Sequence, residues 1–83
     1  MKIVVKLFAN LGDLLPADSR GNSMEIEVAD SATANQIIDL LQLPRQKVHL
    51  VLQNGLFVEP QDRDLPVIKE GDAIAFWPPI AGG

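Results

Sequence analysis

The sequence predicts a single α+β domain in which one helix packs across a mixed sheet of about four to five strands. Three features lead to this prediction: period-two alternation of apolar residues near both ends of the chain, one amphipathic helical segment, and several short strands after it. With 83 residues, 47% of them hydrophobic, the chain has room for one small core. A second domain is therefore not expected, and residues 1–83 are treated as one unit.

The first two strands are predicted from alternation. Apolar residues at Ile3, Val5 and Leu7 have the spacing of a strand with one buried face. Residues 10–23 are rich in Gly, Pro, Asp, Ser and Asn, which favour turns, so they predict a long connection. Apolar residues alternate with glutamates over residues 24–28, which predicts a second strand in a hairpin with the first.

The helix is predicted between Thr33 and Gln42. Apolar residues recur with helical spacing on one face: Ala34, Ile37, Ile38 and Leu41. Thr33 and Gln36 have the spacing of a capping box, in which each side chain accepts a hydrogen bond from a free backbone N–H at the helix start. Pro44 prevents continuation, so the helix is expected to end near Gln42.

The second half of the chain predicts further strands. Val48, Leu50 and Leu52 predict a third strand, and Asn54-Gly55 predicts a tight turn into a short return strand. The elements that follow are a return strand over residues 56–58, a polar loop over 60–64, a turn over 70–72 and a last strand over 73–77.

Charge and composition exclude several functions. The net charge of -4 argues against nucleic acid and anionic membranes, because binding to them requires clustered Lys and Arg, and it favours a more basic protein partner. The chain has no cysteine, and its start shows no signal-peptide pattern. A cytoplasmic location is therefore expected.

No side-chain constellation for catalysis is evident, so the chain is not expected to be an enzyme on its own. His49 has no nucleophile to serve and is interpreted as an incidental strand residue. Glu59, Asp62 and Asp64 lack the spacing of a metal-binding loop and are interpreted as solvated charges. The scattered glycines form no phosphate-binding loop.

The last eight residues are the strongest functional candidate. Residues 76–83 carry no charged side chain and end in a glycine carboxylate. Pro78 and Pro79 favour a stiff extended chain, and Gly82 and Gly83 have no Cβ to obstruct an approaching group. An extended segment from Pro78 to Gly83 reaches about 20 Å, at roughly 3.3 Å per residue, which suits threading into a narrow slot. A Gly-Gly end is also compatible with a flexible terminus that has no role.

This ending resembles that of a known family. Phe76-Trp77-Pro78-Pro79-Ile80-Ala81-Gly82-Gly83, preceded by the residues of 70–75, resembles the tail of the molybdopterin synthase small subunits, a branch of the ubiquitin-like sulfur carriers. The run from Val5 to Ala9, with Leu11, Leu14 and Leu15, resembles the first strand and loop of the same family. Trp77 stands where Phe is commoner, and the Asn54-Gly55 turn followed by Val58 is also similar to the thiamine-biosynthesis carriers.

The resemblance implies a ubiquitin-like β-grasp with the first and last strands adjacent and parallel at the sheet centre. It also implies that an E1-like enzyme uses ATP to adenylate Gly83, and that a sulfur donor protein then replaces AMP to give a terminal thiocarboxylate. The sulfur would pass into the dithiolene of molybdopterin. Because the chain has no cysteine, the carboxyl group of Gly83 is the expected carrier. No tightly bound cofactor is expected.

The expected partner is the large subunit of the synthase, in a sulfurtransferase complex. It would bind the tail through Pro78, Pro79, Ile80, Ala81 and Gly82. Whether two large subunits pair to form a heterotetramer is left open, as is the identity of the donor and activating proteins. Residues 80–83 are expected to be disordered until bound.

Strand parity predicts a docking surface on the sheet. Ile3, Val5 and Leu7 would face the helix together with Ile74 and Phe76. Phe8 and Trp77 would then lie on the opposite face, joined by Phe57 if Val58 points inward. Such an exposed apolar patch is typical of an interface. The alternative is that Trp77 folds back as a lid on the core.

Three other functions stay open at this stage. The chain could serve a thiamine or tungsten-cofactor pathway as a sulfur carrier. It could be a protein modifier that is joined to lysines through Gly83. It could also be an inert interaction module, in which case removal of Gly82 and Gly83 would have no effect.

Overall fold

A computed structural model describes residues 1–8 and 22–79, and these form a five-stranded mixed sheet with one helix across it. The elements in chain order are β1 (Lys2–Leu7), β2 (Ser23–Glu27), α1 (Ala34–Leu40), β3 (Leu50–Gln53), β4 (Leu56–Phe57) and β5 (Ala73–Trp77). The strand order is β2-β1-β5-β3-β4, with β1 and β5 parallel at the centre and every other pair antiparallel. The predicted topology is confirmed. Most of the long connection predicted over residues 10–23 lies outside the described residues.

The core lies between the sheet and α1. The alternation of side chains in β1 and β5 buries one face of each strand, because successive side chains of a strand point to opposite sides. The side chains that are at most 2% exposed come from α1 and the three central strands: Ile3, Val5, Leu7, Ile37, Ile38, Val51, Ile74 and Phe76. The predicted helix-facing residues of β1 and β5 are therefore all in the core.

The start of α1 follows the predicted capping box. The Gln36 N–H donates to Thr33 Oγ1 at 3.2 Å, and the Thr33 N–H donates to Gln36 Oε1 at 3.0 Å. These bonds satisfy two backbone donors that have no partner within a helix.

The end of α1 comes two residues earlier than predicted. Gln42 has a positive φ of 59°, which terminates the helix at Leu40. The Gln42 N–H donates to the Asp39 carbonyl and the Leu43 N–H donates to the Ile38 carbonyl, both at 3.0 Å. This bond pair is a Schellman motif, in which the left-handed position is most often glycine. Pro44 lies beyond the end of the helix and is not what terminates it.

The third strand differs from its prediction in length and in its buried residue. It spans Leu50–Gln53, and Val51 is its fully buried residue, whereas Leu50 and Leu52 are half-buried. His49 precedes the strand and has an exposed side chain, so its assignment to a strand is wrong. The Asn54-Gly55 turn is confirmed, with φ values of 52° and 85° that match a type I′ turn.

The part of the chain that the structure describes also contains two short 3-10 helices, which the sequence analysis does not predict. They span Arg45–Lys47 and Pro60–Asp62, and the second lies in the predicted polar loop. Among the described residues, no helix is long and apolar enough to cross a membrane.

Candidate functional site

The candidate site begins where β5 ends and the tail leaves the sheet. β5 is the central strand of the sheet, between β1 and β3, and Trp77 is its last residue. Pro78 is buried and Pro79 is exposed, so the chain emerges from the domain between these two prolines. The predicted tail residues Ile80, Ala81, Gly82 and Gly83 lie outside the described residues, as does the disorder expected there.

The rings of Phe8 and Trp77 stack beside this exit. Their centroids are 4.0 Å apart and their planes differ by 2°. The parallel register pairs Leu7 with Phe76, so the residues that follow them, Phe8 and Trp77, lie side by side. Both aromatic residues are half-buried, and strand parity places them on the face opposite α1. The alternative in which Trp77 covers the core is wrong, because Phe76 fills that position.

The indole nitrogen of Trp77 is buried and has no hydrogen-bond partner among the described residues. Buried indole N–H groups usually have an acceptor. The indole N–H is therefore a donor that the described part of the domain leaves unsatisfied.

The third predicted aromatic, Phe57, lies on the same face but further away. It pairs with Leu52 across the β3–β4 hairpin, and Leu52 pairs with Ala75 of β5. Phe57 is thus two strands from Trp77 and is separated from it by Leu52 and Ala75. Its side chain is 46% exposed. Val58 packs against the core, as the parity argument required.

Two leucines that sequence reasoning did not assign to this face also belong to it. Leu50 pairs with Trp77, and Leu52 connects Phe57 to β5. We call this set of six side chains the open sheet face: Phe8, Leu50, Leu52, Phe57, Ala75 and Trp77. The sequence does not reveal this assignment, because residues 50–52 are all apolar and only the structure shows that Val51 is the buried one.

Hydrogen bonds from the residue after β1 and the residue before β3 hold the end of β5. The Phe8 N–H donates to the Phe76 carbonyl at 3.1 Å, and the His49 N–H donates to the Trp77 carbonyl at 2.7 Å. The His49 carbonyl in turn accepts from Nη2 of Arg63 at 3.1 Å. Arg63 is only 9% exposed, and burial lowers the pKa of its guanidinium. Sequence reasoning missed Arg63, because one arginine in a polar loop carries no pattern.

The acidic residues of the polar loop do not gather into a cluster of metal-binding side chains in the described structure. Within residues 1–8 and 22–79, no group of three His, Asp or Glu side chains is close enough to hold a metal ion. Asp64 instead accepts a hydrogen bond from Nδ2 of Asn35 at 2.9 Å, which ties the loop to α1.

Comparison with known proteins identifies one family model and several similar structures. The model of the ThiS family matches residues 5–83. A search of the curated proteins found no significant match.

Three solved structures resemble the domain over most of its length. The Haloferax volcanii HVO 2177 protein is 25% identical, covers 100% of this chain and 87% of its own, and superposes with a TM-score of 0.80. Small archaeal modifier protein 1 of H. volcanii is 23% identical, with coverages of 95% and 98% and a TM-score of 0.66. A chain from the complex of subunits 1 and 2 of the molybdopterin-converting factor of Helicobacter pylori is 23% identical, with full coverage of both chains and a TM-score of 0.59. The predicted ubiquitin-like β-grasp is thereby confirmed.

Proposed function

The chain belongs to the ThiS family and is a ubiquitin-like sulfur carrier or modifier, and from this premise we propose that it is the sulfur carrier subunit of a molybdopterin synthase. The reactive group in this proposal is the carboxyl group of Gly83. The protein supplies an extended tail and a surface that its partners recognise, and these partners, in the cytoplasm, supply the catalytic groups.

The observation that carries the proposal is the way the domain holds the root of the tail. The Trp77 carbonyl accepts a hydrogen bond from the His49 N–H, and the Trp77 ring is stacked on the ring of Phe8. The next residue, Pro78, is buried. Because the two prolines restrict φ, the segment that follows starts in a defined direction. A rigid root followed by an apolar tail suits insertion into the active site of another protein.

The open sheet face is proposed to bind the large subunit of the synthase. Phe8, Leu50 and Trp77 of this face lie beside the exit of the tail, so one partner could contact both. Its apolar area is of the kind that monomeric proteins rarely expose without a partner. The similarity to a chain of the H. pylori complex of subunits 1 and 2 supports this kind of assembly.

The chemistry requires activation of the tail before sulfur can be loaded. A carboxylate is a poor electrophile, because its negative charge repels nucleophiles and oxide is a very poor leaving group. Attack of the Gly83 carboxylate on the α-phosphorus of ATP in an E1-like enzyme would release pyrophosphate and give an acyl adenylate. Hydrosulfide would then add to the acyl carbon and expel AMP, and loss of its proton leaves the thiocarboxylate that donates sulfur to the dithiolene.

Intact-mass analysis tests this proposal. The protein is incubated with an E1-like adenylating enzyme, ATP and sulfide, and its mass is measured before and after. The expected product has one oxygen exchanged for sulfur, and fragmentation should place the change at Gly83. Modification of an internal residue, or no modification with any adenylating enzyme of this class, would contradict the proposal.

A second candidate is a protein modifier that is conjugated through Gly83. The similarity to small archaeal modifier protein 1 favours it. The same incubation, repeated with cell extract, distinguishes the two functions. A modifier would appear in branched peptides joined to lysine, whereas a dedicated carrier would remain as free thiocarboxylate. A carrier for a thiamine or tungsten-cofactor pathway would be loaded in the same way but would fail to convert the molybdopterin precursor with the large subunit.

A further inference from the structure

Two consecutive hydrogen bonds connect a buried arginine to the peptide group from which the tail departs. Nη2 of Arg63 donates to the His49 carbonyl at 3.1 Å, and the His49 N–H donates to the Trp77 carbonyl at 2.7 Å. We propose that Arg63 is a positioning residue that sets the direction of the tail. This inference rests on the proposed function, in that the tail must deliver Gly83 to an enzyme.

The Trp77–Pro78 peptide depends on its carbonyl for any hydrogen bond. Proline has no backbone N–H, so neither Pro78 nor Pro79 can donate to the sheet. In the described part of the chain, the donor to the Trp77 carbonyl is the His49 N–H. Because a peptide group is planar, this bond orients the whole unit that leads into Pro78.

His49 is held from outside the strand ladder. β3 begins one residue later, at Leu50, and the side chain of His49 is exposed. The bond from Arg63 holds the planar peptide group that contains the His49 carbonyl and the Leu50 N–H. Only the φ and ψ torsions of His49 separate this plane from the His49 N–H, so we expect loss of the bond to loosen the N–H that donates to Trp77.

Arg63 is itself fixed from three sides. Its Nε donates to the Val58 carbonyl at 3.4 Å, and its own carbonyl accepts from the Asn35 N–H at 3.0 Å, at the start of α1. Its fork of donors can reach two carbonyls at once, which the single ammonium group of lysine does less well. Burial of a guanidinium is costly unless it is hydrogen-bonded. The carbonyls of His49 and Val58 therefore stabilise the charge of Arg63 in its buried position.

Loss of Arg63 is expected to misdirect the tail without removing the docking face. None of the six residues of the open sheet face donates to Arg63 or accepts from it in the described structure. Arg63 is only 9% exposed, so little of it can contact an enzyme that binds the surface of the domain. Binding of the domain to the adenylating enzyme should therefore persist, while a smaller fraction of bound molecules presents the carboxylate to ATP. Enzymatic rates are sensitive to displacements of about 1 Å in the position of the reacting group. We therefore expect loss of Arg63 to lower kcat.

The test uses four variants of the full chain. Arg63→Met removes the donors and keeps an apolar side chain, and Arg63→Lys keeps the charge. Arg45→Met is the matched arginine control, because Arg45 bonds to Asp39 on the surface, where both side chains are more than half exposed. Ile37→Val is a stability control, since it removes one methylene from the core and Ile37 takes no part in this hydrogen-bond chain.

The first readout is structural and needs no partner enzyme. Amide exchange of His49 and the fluorescence of Trp77, the single tryptophan, report on the root of the tail. In Arg63→Met the His49 amide should exchange at least about tenfold faster than in Ile37→Val, and Trp77 anisotropy should fall. Unchanged exchange and fluorescence in Arg63→Met would overturn the proposal.

The second readout is the steady-state rate of adenylation with the carrier as variable substrate. Arg63→Met should lower kcat by about tenfold and leave KM within about twofold, Arg63→Lys should fall between it and wild type, and Arg45→Met should match wild type. A purely structural role would reduce the concentration of folded carrier, which raises KM and leaves kcat unchanged, and that result would also overturn the proposal.

The two readouts separate this inference from the proposed function. If wild-type protein is never adenylated, the proposed function fails, and the exchange and fluorescence data still decide whether Arg63 holds the Trp77 peptide. If wild-type protein is loaded normally and Arg63→Met is loaded at the same kcat, only the positioning role fails.

Discussion

Asn54 and Asp72 join the β3–β4 turn to the start of β5 through a hydrogen bond of 3.0 Å from Nδ2 of Asn54 to Oδ1 of Asp72. Asn54 also accepts from the Ala73 N–H through Oδ1 at 2.9 Å and donates its own N–H to the Ala73 carbonyl at 2.8 Å. Asn54, one of the two residues of the turn with a left-handed backbone, thus also anchors the turn to the central strand of the sheet.

The Asp72 carboxylate makes stability depend on pH. Hydrogen bonds from Asn54, the Lys69 N–H and Gln53 lower its pKa below the ordinary value. Since the pKa is lower in the folded state, the stabilisation is complete above the unfolded-state pKa of about 3.9 and is lost as the pH falls through the folded-state pKa. Asp72→Asn should therefore lower the melting temperature at pH 7 and lose much of this effect below about pH 4.

Thermal melts of wild type and Asp72→Asn from pH 2 to pH 7 would check this expectation. Glu25→Gln, which changes an exposed carboxylate of β2, is the control and should have little effect throughout. An equal difference between wild type and Asp72→Asn at every pH would assign the effect of the aspartate to packing instead of charge.

Gln42→Gly should stabilise the domain. Gln42 occupies the left-handed position of the Schellman motif, where a side chain costs roughly 1 kcal/mol and glycine does not. Chemical denaturation should show an increase of about 0.5–1 kcal/mol in the free energy of unfolding, after allowance for the greater freedom of glycine in the unfolded chain.

Gln42→Ala is the matched control for this change. Alanine also shortens the side chain but keeps the Cβ, so it should give no increase. If both variants stabilised the domain equally, the gain would come from removal of the glutamine side chain and not from relief at the backbone.

Truncation of the open sheet face should weaken binding to the large subunit. Buried aromatic residues at interfaces often contribute more than about 2 kcal/mol, so Trp77→Ala should raise Kd by roughly thirtyfold or more. Phe8→Ala should also weaken binding, because its ring supports that of Trp77. Loss of the stacked pair should in addition reduce stability by about 1 kcal/mol.

Titration calorimetry and melts on Phe8→Ala, Phe57→Ala and Trp77→Ala would measure both effects. Leu56→Ala provides the control: Leu56 precedes Phe57 in β4, points to the other side of the sheet and is 74% exposed. Leu56→Ala should leave Kd unchanged. Normal affinity in all three aromatic variants would mean that the large subunit docks elsewhere.

Deletion of Gly83, or addition of one residue after it, should abolish sulfur loading. The carboxyl group would then be moved by one residue, about 3.3 Å, from the position that the activating enzyme attacks. The melting temperature should stay within about a degree of wild type, because the described core is complete before Pro79. Mass spectrometry and a thermal melt on the same samples would check the two halves of this prediction, and a matching loss of stability would mean that the tail is part of the fold.

The sequence alone determined those features that depend on local spacing and stereochemistry. The alternation of β1 and β5, the capping box at Thr33 and Gln36, and the type I′ turn at Asn54-Gly55 each involve neighbours within a few residues. Parity alone placed Phe8, Phe57 and Trp77 on one face, because a strand that buries one set of side chains must turn the other set outward.

Only the tertiary structure decided the features that depend on which distant segments meet. The stack of Phe8 on Trp77 requires the parallel register of the first and last strands, and the burial of Val51 depends on the register of β3 against β5. The sequence did not predict the buried position of Arg63 for the same reason. Its partners, the carbonyls of His49 and Val58, come together only when both ends of the β3–β4 hairpin reach the loop that follows, so no local pattern distinguishes a buried arginine from a solvated one.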